Sequence, residues 1–75
     1  MQQTYLIEVR PGKFLVGDRG ETVTATEVLS LACHFGDYRM ADFAARSLHS
    51  RGYLGVVTDI YGCPVTRESF EVQTA

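Results

Sequence analysis

The stretch TYLIEVRPGKFLVGD, residues 4–18, decides how the fold begins. Tyr5, Ile7 and Val9 alternate with Leu6, Glu8 and Arg10. A period of two, rich in β-branched and aromatic residues, is the pattern of a half-buried strand. Pro11-Gly12 comes next, a pair suited to the middle of a type II turn because Pro presets φ and Gly accepts φ > 0. Residues 13–18 then read as a returning strand, with Phe14 and Val16 inward and Lys13 and Leu15 outward. Asp18-Arg19-Gly20 is a further turn signal, after which residues 21–25 can add a short third strand.

Working outward from this hairpin, the grammar changes to helical. Thr24-Ala25-Thr26-Glu27 matches a capping box, in which the Thr hydroxyl and Glu carboxylate each satisfy an orphan backbone N–H. Val28, Leu29, Leu31, Ala32 and Phe35 then recur at helical spacing, and Gly36 is placed to end that helix. Asp37 caps a second helix over residues 38–51, expected to bury Met40, Phe43, Ala44 and Leu48 and closed by Gly52. Its outer face carries Arg39, Asp42, Arg46 and His49, with Asp42 and Arg46 spaced to pair. Residues 53–60 alternate again, with Leu54, Val56 and Ile60 on the core side and Tyr53, Val57 and Asp59 opposite. Tyr61-Gly62-Cys63-Pro64 is a turn, and residues 65–72 make a last, partly charged edge strand. The expected fold is α+β: an antiparallel sheet of four to five strands with two helices packed on one face, in the order β-β-(β)-α-α-β-β.

The whole chain, residues 1–75, reads as one small domain. A chain of this length buries only about 60% of the surface its unfolded form exposes, and its core supplies roughly 3–5 kcal/mol of net stability. That size is compatible with help from a partner, for example in a homodimer. With 45% apolar residues it is a globular composition rather than a disordered one. A net charge of −2 argues against coating nucleic acid by charge alone. There is no 18-residue apolar run, and Met1-Gln2-Gln3-Thr4 lacks the basic, apolar start of a secretory leader. The expectation is a cytoplasmic protein without a membrane partner, whose Cys33 and Cys63 stay reduced.

Chemistry-bearing motifs are sparse. Cys33, His34, His49 and Cys63 are the only soft metal ligands, and they lack the short-spaced pairs of a structural zinc site. The same residues would need an orienting group and an oxyanion hole to form a nucleophile pair, and nothing local signals either. Ser30, Ser47 and Ser50 lie in helical patterns rather than on a nucleophile elbow, and no glycine-rich phosphate loop is present. We therefore expect no catalysis, metal or cofactor. Two contact surfaces remain. One is the sheet face away from the helices, carrying Arg10, Lys13, Tyr53 and Tyr61 beside Leu6, Leu15 and Val57; the other is the second-helix stripe of Arg39 and Arg46. Tyr and Arg suit interfaces because each joins a large contact area to a polar handle. The sequence leaves open which surface carries the contact.

Residues 5–9, the helical run 41–48 and the strand 54–60 with its following hairpin resemble the layout of small phage-encoded anti-CRISPR proteins. That resemblance implies a viral inhibitor acting without cofactor, by occluding a surface of a protein or ribonucleoprotein partner such as a CRISPR effector. Residues 24–72 also resemble a winged-helix DNA-binding domain: helix, tight turn at Gly36-Asp37, recognition helix and wing, with Leu48-His49-Ser50-Arg51-Gly52-Tyr53 as the helix end. This second resemblance implies a transcriptional regulator reading DNA with helix 38–51. It departs from the pattern in having strands where a further helix belongs, and in carrying Asp37 and Asp42, which repel phosphate.

Overall fold

A computed structural model describes residues 3–20 and 22–65. The opening hairpin forms as its alternation dictates, from β1 (Leu6–Arg10) and β2 (Lys13–Arg19). Gly12 takes a φ of 75° in the connecting turn, and its N–H donates to the Glu8 carboxylate at 2.9 Å. β3 (Thr22–Thr26) continues the meander, and β4 (Val56–Thr58) joins the far side of β1. Among the described residues the sheet has four strands in the order β3-β2-β1-β4, and every adjacent pair is antiparallel.

The expected first helix does not form. Thr22, Val23, Thr24, Ala25 and Thr26 make β3, so the first three residues of the apparent capping box lie in a strand and Glu27 just beyond it. Only one 3-10 turn follows, at Leu29–Leu31. Tertiary hydrogen bonds explain the outcome. β1 and β2 pair near their turn, at Glu8↔Phe14 and Arg10↔Lys13. Toward the other end, the chain at 33–35 supplies partners instead. Cys33 N–H donates to the Leu15 carbonyl at 2.7 Å, and Tyr5 and Phe35 exchange two bonds of 2.8 Å. Extended backbone at 33–35 thus inserts between the diverging strands, and a helix there would leave these groups unpaired. The described helical structure is one α-helix, α1 (Tyr38–Ser50), plus that turn, rather than two helices on one face.

α1 starts and stops as its sequence directs. The Asp37 carboxylate accepts from Arg39 N–H at 3.0 Å. At the other end Gly52, at a φ of 97°, donates to the His49 carbonyl, and Tyr53 donates to Leu48, both at 3.1 Å. This is the paired 6→1 and 5→2 closure that a left-handed glycine permits.

The core lies on both faces of the sheet. On one face Tyr5, Ile7, Val9, Leu15 and Val57 meet Tyr38, Ala41, Ala45 and Leu48 of α1. On the other, Leu6 and Phe14 are buried with Ala32 and Leu29, so the 3-10 segment covers that side. Phe14 and Leu15 are thus both buried, on opposite faces, where Leu15 was expected outside. Val16 is exposed at a bulge between Leu15 and Gly17, also against expectation. The extra residue shifts the strand's phase, so that Asp18 pairs with Val23, whose side chain packs toward α1.

Two further phases differ from the sequence reading. α1 buries Tyr38, Ala41, Ala45 and Leu48, and leaves Met40 and Phe43 exposed. In the β4 region Val57 is buried, whereas Leu54 and Ile60 are exposed. Beyond β4 the chain turns back, with a bridge between Thr58 and Pro64 and a 2.8 Å bond from Val65 N–H to the Val57 carbonyl. The rest of the strand expected over 65–72 lies outside the described residues. No helix among the described residues is long and apolar enough to cross a membrane.

Candidate functional site

The sheet face proposed as an open contact surface does not exist as one. Leu15 and Val57 are buried under α1, and Leu6 is buried on the opposite face with Phe14, Ala32 and Leu29. The four polar residues assigned to it are dispersed. Tyr53 is half-buried and packs against the α1-side core. The Arg10 guanidinium lies 5.1 Å over the Tyr53 ring, and that of Arg51 lies 5.9 Å from it. Tyr53 thus holds two cations on its π surface, an arrangement that orders both arginines. Arg51 is fixed further by a 2.7 Å ion pair to Asp18 and by donating to the Gly20 carbonyl. A shallow, open depression of about 280 Å³ lies beside this stack, between Arg10, Pro11, His49, Tyr53 and Leu54.

Lys13 is the cross-strand partner of Arg10, but its ammonium lies 3.7 Å from Glu27 in an exposed ion pair. Tyr61 stands on a loop organised by Asp59, whose carboxylate accepts from Tyr61 N–H at 2.8 Å and Cys63 N–H at 3.0 Å. Tyr61 is 76% exposed. The loop packs tightly underneath, because a Cβ on Gly62 would lie 3.2 Å from the Phe14 ring. Cys33 and Cys63 are free thiols, and His49 Nδ1 lies 3.3 Å from the Leu54 carbonyl.

α1 brings its arginines together with something the sequence reading missed. Phe43 is 78% exposed and Met40 is 64% exposed. At 100° per residue, Arg39, Phe43, Arg46 and Ser50 form one outward stripe, with Met40 and Ser47 along its flank. Arg46 is held by Asp42 at 3.1 Å, one turn away. The result is an apolar centre of Phe and Met flanked by two guanidinium groups on a rigid, well-capped helix. A visible signal did point to it. Tyr38, Ala41, Ala45 and Leu48 repeat at spacings of three and four, a complete inward stripe that needs neither Met40 nor Phe43.

The winged-helix arrangement fares differently, since the described segment before α1 holds a strand and a 3-10 turn, and no helix-turn-helix is formed there. Comparison with known proteins adds no family: no protein-family model matches the chain, and no curated protein or solved structure matches it.

Proposed function

We propose that the protein is a non-catalytic binding module that engages a protein partner through the outward face of α1. The observation that carries this reading is the exposed Met40–Phe43 pair framed by Arg39 and Arg46. Large apolar side chains on a surface helix, spaced three residues apart, are how a helix inserts into a partner's groove. Arginine beside them adds bidentate pairing to carboxylates on the partner. Within that reading, an inhibitor that occludes a surface of a protein or ribonucleoprotein complex, as anti-CRISPR proteins do, needs no more than such a rigid face. Arg10, Lys13, Tyr53 and Tyr61 are then peripheral to the contact, Arg10 and Tyr53 serving the packing around the C-terminal end of α1.

The experiment compares wild-type protein with Phe43→Ala and Met40→Ala as bait in the native host, then measures affinity for any protein retained by wild type alone. Each truncation should leave the melting curve in place while weakening the partner by about 2 kcal/mol, roughly thirtyfold. Equal retention by wild type and both variants would overturn the reading. So would tight, salt-sensitive binding of duplex DNA that falls with Arg39→Ala and Arg46→Ala, the outcome required of a DNA-binding regulator.

A further inference from the structure

The two edges of the sheet are treated differently. At the β4 edge the chain covers itself, through Val65 N–H and the Thr58–Pro64 bridge. At the β3 edge no described residue pairs with the outer side of Thr22–Thr26. Open edges are ordinarily protected by Lys, Pro, a bulge in the edge strand or a covering segment. β3 has no charge and no proline, and its register irregularity sits in β2, where Val16 is the extra residue. Its five residues, Thr-Val-Thr-Ala-Thr, are instead well suited to pairing.

We infer that β3 pairs antiparallel with β3 of a second copy of this chain, joining the two sheets across a two-fold axis at Thr24. The sequence of the strand is close to a palindrome about that residue. Pairing there sets Thr22 opposite Thr26 of the second copy, Val23 opposite Ala25 and Thr24 opposite its own equivalent. An isologous interface requires this self-complementarity, in which each pair occurs twice.

The backbone is in phase with the same axis. The Leu15 carbonyl turns toward the inserted segment to accept from Cys33, away from β3. Leu15 and Ala25 therefore face each other without exchanging hydrogen bonds, so Ala25 directs its own N–H and C=O off the sheet. Val23, two residues earlier in an unbroken strand, does the same. Val23 and Ala25 are the residues that the two-fold sets opposite each other, so two reciprocal pairs of hydrogen bonds form with no change to either chain. On one face, Val23 and Ala25, already packed toward α1, continue the apolar layer across the junction. On the other, the exposed Thr24 side chains meet at the axis, a favourable cross-strand pair. Pairing also adds burial to a chain whose own core is small.

Sedimentation of the purified chain tests this independently of the α1 reading, because Phe43→Ala leaves β3 untouched. Wild type and Phe43→Ala should both sediment at twice the chain mass in the micromolar range. Thr24→Lys and Thr24→Glu each set two like charges face to face, and should weaken the dimer by about tenfold or more while keeping the circular-dichroism spectrum. An equimolar mixture of the two should restore the dimer, because Lys then faces Glu, a result that misfolded variants could not give. A monomeric wild type overturns the inference. So does a dimer indifferent to both Thr24 variants, a dimer lost in Phe43→Ala, or a mixture that stays monomeric.

Discussion

The two faces of α1 differ in a way opposite to what side-chain size suggests. The inward face is built on two alanines, a leucine and a tyrosine, while the outward face holds Met40 and Phe43. Small residues face the sheet because the chain entering β4 runs against the helix backbone itself. Gly55, at a φ of 65°, sits so close that a Cβ there would strike the Ala45 carbonyl oxygen and lie 3.0 Å from His49 N. A large side chain at position 45, on the turn that Gly55 touches, would force that approach apart. The lesson is that burial on α1 follows the distance between elements, and the larger apolar groups are the ones left for a partner.

The largest expected effect attacks that close approach. Gly55→Ala adds a Cβ against rigid backbone and forces alanine into a left-handed conformation. It should cost on the order of 3–5 kcal/mol, comparable to the whole net stability of a domain this size. Gly12→Ala is the control, because its φ is also positive, at 75°, but nothing lies within 4 Å of the added atom. It should cost about 1 kcal/mol, from backbone strain alone. Urea titration of the two variants measures the difference. Equal losses would mean that the helix–β4 contact is looser than described.

The next pair divides the faces directly. Leu48 is 1% exposed and its truncation to alanine should cost about 2–5 kcal/mol. Phe43→Ala removes a larger side chain from the opposite face and should stay within about 0.5 kcal/mol of wild type. A Phe43 variant as destabilised as the Leu48 one would restore the helix phase that the sequence suggested.

That phase shows where the sequence was legible. Period-two alternation identified β1 and β2, Pro11-Gly12 their turn, and Asp37 and Gly52 the two ends of α1, because each signal is local. The helix face was misjudged because apolar size favoured Met40 and Phe43, whereas the choice was made by a glycine several residues past the helix. The helix expected over 24–36 failed for a related reason. Its apolar spacing was genuine, but Leu29 and Ala32 serve one side of the sheet and Phe35 the other. Bulges at Val16 and between Glu8 and Arg10 escaped notice, since nothing local distinguishes them from continued alternation. Of the candidate site, Arg39 and Arg46 were legible from their seven-residue spacing, while the apolar centre between them was assigned to the core.

A smaller effect concerns how α1 is tethered at its C-terminal end. The side chains of Arg51 and Asp18 are each about one-third exposed, at 31% and 34%, so their ion pair is partly screened. Arg51→Ala should cost about 1 kcal/mol, combining the pair with lost packing on Tyr53. Asp18→Asn should cost less, since the stack on Tyr53 survives it. In wild type, raising the salt concentration should erode the difference from Asp18→Asn but leave most of the Arg51→Ala loss. Thermal melts at low and high salt separate the two contributions. An Arg51→Ala variant as stable as wild type would show that the inward face ends at Leu48.

The smallest effect appears only in alkali, at the start of the inward face. Tyr5 meets Tyr38 edge to face, with ring centroids 5.6 Å apart, and its hydroxyl donates to Gln3 Oε1 at 2.6 Å. Burial raises its pKa above the ordinary 10.0, and the Asp37 carboxylate adds to the shift in the same direction. The folded chain therefore holds this proton to higher pH than the unfolded one does. Below the unfolded value both states are protonated, and the contribution to stability is fully present. As pH rises past it, the unfolded state sheds the proton first, so stability is lost until the folded group ionises too. The melting temperature should thus be insensitive to this residue at neutral pH and decline above about pH 10. Tyr5→Phe, whatever its offset at neutral pH, should show a shallower decline over that interval, because it lacks the ionisable hydroxyl whose proton the folded chain retains. Parallel curves for the two chains would show that Tyr5 ionises as freely when folded as when unfolded, and that this end of the α1 face is open to water.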